Sequence, residues 1–236
     1  MRAEEHGTAD SRRMNEYDAK RILAAYSIPV TCEELVQNPD EALAAANRIG
    51  FPVAAKLVSG DIPHKTEAGA VILNLQNEAE VRRAFDTLME CGRTRFPEAA
   101  LDGVLIQEMV SGRVVETIAG SSLEPPFGPA VVFGMGGIFV EVLKDVAIRV
   151  LPASGGDLES MVEEIRGASV LKGARGGKPY DLKAVTEVIE KLACLAWELR
   201  YVIAEIDMNP LMVREQGMGA VVADALILPR KQEGGD

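Results

Sequence analysis

The stretch PVAAKLVSGDIPHKTEAGAV, residues 52–71, decides how the rest of this chain is read. It begins as a short apolar run carrying one lysine, Lys56, crosses a loop broken by Gly60, Pro63 and Gly69, and becomes apolar again at Ala70-Val71. Strand alternation sets Lys56 on one face with Ala54 and Val58 and turns Val53, Ala55 and Leu57 to the other. A desolvated ammonium is costly unless something anionic meets it. One face is therefore expected to be core, and the other to offer a cation to a ligand. The loop holds His64, the only histidine apart from His6 in the N-terminal segment. A strand lysine followed by a loop histidine points to phosphate chemistry. Each residue taken alone also has an ordinary reading, as a snorkelling lysine and as an exposed loop imidazole.

The chain has 236 residues, 47% of them hydrophobic, and a formal net charge of −11. That is enough chain and enough apolar content for a folded core. The negative balance argues against a nucleic-acid or anionic-membrane surface, and no run reaches the roughly 18 apolar residues of a membrane span. Cys32, Cys91 and Cys194 are widely spaced, with neither a redox nor a zinc pattern, as suits a reducing cytoplasm. A cytoplasmic protein is the expectation.

Residues 1–13 are polar and unpatterned and read as a flexible leader; residues 229–236 read as a polar tail. Between them helices and strands mix. Helical spacing starts at Asn15, with Tyr17, Ile22, Leu23 and Tyr26 as its stripe, and ends at Pro29. Asn38-Pro39-Asp40-Glu41 is a capped helix start running to Ile49, with Gly50 as its stop. Asn77 with Glu80 opens a third helix. Strands are expected at 104–109, 114–119 and 129–133. Residues 138–143 and 146–151 read as a hairpin about Lys144-Asp145. Helices follow at 158–165 and, capped by Asp181, at 182–199; the last strands are 203–213 and 220–227. Gly134-Met135-Gly136-Gly137 lacks the ending of a phosphate-binding Walker loop and reads as a turn. The glycine-rich basic loop 172–178 reads as a solvated surface loop. The fold class is α+β, in two lobes.

The last two strands carry the clearest chemistry. Glu205, Asp207 and Asn209 alternate with apolar residues and so share one strand face. If 215–218 is a four-residue turn, Arg214 pairs with Gly219, and counting back sets Asn209 opposite Asp224, on the same face. Carboxylate and amide oxygens grouped this way suit Mg²⁺ with bound phosphates. A solvent-facing polar edge has the same spacing, and Pro210 is where a bulge would break the count.

Four stretches together resemble the ATP-grasp β subunit, or β-like domain, of ADP-forming acyl-CoA (acetate–CoA) synthetases: residues 14–30, 51–71, 127–152 and 205–225. The resemblance implies an ATP-grasp fold with nucleotide between two α+β lobes, the first at about 14–106 and the second at about 107–228. It implies that Lys56 meets phosphate and that Val58 and Ser59 belong with it to the ATP-binding residues. Gln107, Glu108, Met109 and Val110 then form the segment whose backbone meets adenine, with Glu116 as a nucleotide-side acid. Asn209 and Asp224 match Mg²⁺ ligands, Asp207 the acid beside them, and His64 a transiently phosphorylated histidine. ATP or ADP and Mg²⁺ are the implied ligands. The implied partner is a CoA-binding α subunit in a hetero-oligomer, which brings the small carboxylic acid or acyl-CoA. Two other readings fit the same residues: a carboxylate–amine ligase of the same fold, and a nucleotide-sensing regulatory subunit whose chemistry has lapsed.

Overall fold

A computed structural model describes residues 14–62, 69–137 and 145–230. Helix α1 (Glu16–Ala25) is capped by Asn15, whose side chain accepts from Asp18 N–H. Strand β1 (Glu33–Val36) leads to α2 (Pro39–Ile49), where Asn38 caps the Glu41 N–H and Gly50 ends the helix at φ 95°. Gly50 suits that positive φ because it has no Cβ to clash. Strands β2 (Val53–Val58) and β3 (Val71–Leu75) follow, then α3 (Glu78–Arg95), capped by Asn77, and β4 (Gly103–Glu108). β1 was not expected from its sequence, because Glu33 and Glu34 hide the strand pattern.

These strands form a four-stranded antiparallel sheet in the order β1-β4-β2-β3. Helices α2 and α3 supply its core through Ala42, Ala45, Ala46, Val81, Phe85 and Leu88. β2 lies in the middle of this sheet, and all six of its residues are buried. Both faces of β2 are therefore covered, and Lys56 sits inside the structure, 6% exposed.

The second sheet contains β5 (Val114–Glu124), β6 (Gly128–Met135), β7 (Val146–Val150), β8 (Ile203–Arg214), β9 (Ala220–Val222) and β10 (Ala225–Pro229). Its order is β10-β8-β5-β6-β7, with β9 also on β8. The expected partner strand of β7, at 138–143, lies outside the described residues. Helices α4 (Gly155–Glu164), α5 (Ala168–Leu171) and α6 (Leu182–Glu198) cover one face. Asp181 caps α6 and also accepts from the Gly217 and Gly219 N–H groups, tying the 215–219 turn to the helix start.

Helix α1 does not belong to the core of the smaller sheet. Ala19, Leu23 and Ile28 pack into the larger one, with Phe133, Leu192 and Ile206 among its members, and Val30 bridges Val222 in parallel. The lobe boundary read from sequence is corrected accordingly: the chain begins in the larger core, crosses to the smaller at β1 and returns after β4. Contiguity in sequence suggested otherwise, whereas burial follows the apolar side of the helix. Leu23→Ala should cost about 2–5 kcal/mol of stability through the cavity it leaves, read as a lower urea midpoint with an unchanged slope.

Candidate nucleotide site between the two sheets

The site begins with the β8–β9–β10 hairpin. Leu211, Met212 and Val213 pair with Val222, Val221 and Ala220, and Met208 with Ala225, all in one register. Arg214 N–H donates to Gly219 C=O and Asn209 N–H to Asp224 C=O, both as the sequence count requires. The expected single strand 220–227 is interrupted at Ala223-Asp224, but without a slip. The bulge near Pro210 falls on the other side of β8, where Asn209-Pro210 oppose Ile118 alone between the Thr117–Leu211 and Ala119–Met208 pairs. Asn209 and Asp224 stay opposed for that reason.

Directly opposed residues share a face. Gly120 opposes Asp207, Ser122 opposes Glu205 and Met212 opposes Glu116, so Glu116, Glu205, Asp207 and Asn209 lie on the face of the larger sheet away from α6. A Cβ at Gly120 would meet Ile206 C=O at 2.6 Å, so β5 and β8 approach closely where Asp207 sits. Burial, with the Glu205 and Asp224 charges beside it, holds the Asp207 carboxyl above the usual aspartate range.

Strand β2 delivers Lys56 to this hairpin. Its ammonium donates to Glu16 Oε1 at 2.7 Å and to Ala223 C=O at 3.1 Å, and lies 3.5 Å from Asp224 Oδ2. Burial alone would lower its pKa; the Glu16 and Asp224 carboxylates outweigh this and hold it above the ordinary lysine range. From β4, Gln107 Nε2 donates to the same Ala223 carbonyl at 2.9 Å and to Thr31 Oγ1 at 2.8 Å. Gln107 Oε1 is the buried side-chain oxygen without a partner among the described residues. The break between β9 and β10 is thus gripped by two donors of the smaller sheet, which brings Asp224 beside Lys56.

Beneath Lys56 lies a polar layer that the sequence reading missed. Lys20, 1% exposed, reaches Glu33 Oε2 at 2.6 Å, Thr31 Oγ1 at 3.1 Å and Glu16 Oε1 at 3.3 Å. Burial pushes the Glu33 carboxyl up, against the pull of Lys20. The available signal was the Glu16–Lys20 spacing on the same side of α1 as Ala19 and Leu23.

The other expected residues separate. Val58 is fully buried and its C=O accepts from Asp102 N–H. Ser59 is buried with its hydroxyl accepting from Asp61 N–H. Glu108 N–H donates to Cys32 C=O, its carboxylate accepts from Cys32 N–H, and Met109 N–H donates to Pro52 C=O at 3.4 Å. Val110 is half-buried just beyond. Glu116 is exposed, two strands from Asp224. His64 lies outside the described residues. No group of three His, Cys, Asp or Glu able to hold a metal occurs among the described residues, and no helix there is long and apolar enough to cross a membrane.

The family described as ATP-grasp domain matches residues 6–228. This chain belongs to the ATP-grasp family. It is 44% identical over 216 residues, 91% of each chain, to the β subunit of ADP-forming acetate–CoA ligase II of Pyrococcus furiosus. A structure of Candidatus Korarchaeum cryptofilum acetyl-coenzyme A synthetase 1 with coenzyme A and Ca-AMPCP superposes with a TM-score of 0.87 at 38% identity, covering 94% of this chain and 95% of that one. Another structure of that enzyme, with Mg-AMPPCP and a phosphohistidine segment pointing towards the nucleotide binding site, gives 0.78 at 38% identity, covering 91% and 92%. In the ATP-grasp chain described here, Lys56→Met would leave Asp224 and Glu16 without one of their buried counter-charges. Breaking such a pair should lower the stability of the ligand-free protein by about 3 kcal/mol in urea denaturation.

Proposed function

We propose that this ATP-grasp chain is the nucleotide-handling β subunit of an ADP-forming acyl-CoA synthetase, supporting acyl-CoA + ADP + phosphate ⇌ acid + CoA + ATP. The observation that carries the reading is the meeting of Lys56 with Asp224, with Asn209 directly across the hairpin. The likeness to an acetate–CoA ligase β subunit over nearly the whole of both chains supports it. A CoA-binding α subunit completes the enzyme and brings the acid or acyl-CoA. The acidic composition and three free cysteines support a cytoplasmic location.

Lys56 holds a nucleotide phosphate by charge and by an N–H. The Asn209 amide oxygen and the Asp224 carboxylate are hard donors that fit Mg²⁺, which takes few protein ligands and keeps phosphate and water for the rest. Bound there, the ion supplies charge neutralisation on the phosphates. Asp207, beside that pair, receives a proton more readily than an ordinary aspartate. The Gln107–Val110 segment lines the adenine side and Glu116 the far edge. Val58 and Ser59 shape the wall beyond Lys56.

His64 follows Lys56 by eight residues, so the loop can present its imidazole to the γ-phosphate. One ring nitrogen forms a P–N bond as the bond from the γ-phosphorus to the ADP oxygen breaks; the electron pair leaves with ADP, and the other ring nitrogen sheds its proton to solvent. The phosphohistidine segment of the Korarchaeum enzyme supports this role.

Given Mg·[γ-³²P]ATP, the isolated protein should acquire an acid-labile, base-stable label on the peptide containing His64, discharged by ADP. It should make no acyl-CoA until the α-type partner is added. His64→Ala should lose the label and keep nucleotide binding; normal labelling of that variant would sink the relay. Amide formation in place of acyl-CoA would favour the carboxylate–amine ligase. Separately, Asp224→Ala or Asn209→Ala should lower Mg²⁺-dependent labelling by about 10²-fold or more, with a near wild-type circular dichroism spectrum. Wild-type labelling rates in both would refute the ligand pair.

A further inference from the structure

We propose that Glu16 is the positioning residue of this site: together with the Ala223 carbonyl it fixes two of the three N–H bonds of Lys56 and so aims the third at the phosphate. The inference rests on the functional reading above and adds to it a residue that touches no ligand.

An ammonium has three donors in tetrahedral array. In Lys56 the two shortest contacts are to Glu16 Oε1 at 2.7 Å and Ala223 C=O at 3.1 Å, and the longest, at 3.5 Å, is to Asp224 Oδ2. The Glu16 side chain is 2% exposed and that of Asp224 40%. An arriving phosphate can therefore replace the Asp224 contact from the open side, while the Glu16 contact has no solvent route. With two N–H directions fixed, the third is fixed as well, although the lysine stem is flexible.

Glu16 can serve as such a reference only if it is itself held. It stands on the first turn of α1, and its Oε1 also lies 3.3 Å from Lys20 Nζ. Lys20 is held in turn by Glu33 and Thr31, and Thr31 accepts from Gln107. Elements from both cores thus set the position of one carboxylate oxygen. Lys20 and Lys56 thus face Glu16 and Glu33 in one buried group of opposite charges.

The test is a double-mutant cycle on Mg·ATP affinity, measured by calorimetry on the full chain, with Glu16→Gln, Lys56→Met and the double variant. In the wild-type background Glu16→Gln should weaken Mg·ATP binding about tenfold, the scale of one charge-assisted hydrogen bond. In the Lys56→Met background it should change binding less than about twofold, because Glu16 acts through Lys56. Equal fold-changes in the two backgrounds would mean a structural effect and overturn the proposal. Glu16→Asp keeps the charge and withdraws the oxygen by one methylene, which covers the case in which the Gln variants fold poorly. It should weaken binding with the same sign, and wild-type affinity in that variant would also overturn the proposal. Failure of the wild-type protein to bind Mg·ATP, or undiminished binding by Lys56→Met, would instead remove the functional reading beneath it.

Discussion

Lys56 carries its charge on a strand that is buried along its whole length in the middle of the smaller sheet. A lone ammonium there would be prohibitive, since moving an ion from water into a low-dielectric interior costs several kcal/mol even after relaxation. The fold answers with carboxylates drawn from distant sequence, Glu16 from the first helix and Asp224 from the last hairpin. Much of the arrangement follows from that need. The first helix lies across from the smaller sheet while packing in the larger core, and the break between β9 and β10 turns a backbone carbonyl towards Lys56 and Gln107. Electrostatic compensation of Lys56 and closure of the cleft's inner wall use the same contacts.

The parts legible in the sequence were those governed by local rules. Asn38, Asn77 and Asp181 announced their helices because a short polar side chain satisfies otherwise orphaned N–H groups. The Asn209–Asp224 opposition followed from a four-residue turn and a period of two. It survived Pro210 because the extra residue bulges against β5 and not against β9.

What the sequence hid was governed by tertiary context. Glu16 and Lys20 look like a solvent-exposed pair four residues apart, and their burial is visible only when Ala19 and Leu23 are seen to be the docked side of α1. Likewise β1 carries two glutamates, and its edge position on β4 comes from pairing rather than from apolar pattern. Lys56 was singled out for the right reason, an ammonium in an apolar strand. That Glu16 and Asp224 would meet it was not legible, because they lie 40 and 168 residues away in the chain.

The path of the chain between the two cores has a mechanical meaning. Residues about 31–108 form an insert within the larger unit, and its two ends leave side by side: Cys32 N–H donates to the Glu108 carboxylate while Glu108 N–H donates to Cys32 C=O. Two adjacent connections joined by these hydrogen bonds restrain the insert more than a single linker would. The same doubled crossing means that inserting residues into one of the two connections alone would part Cys32 from Glu108.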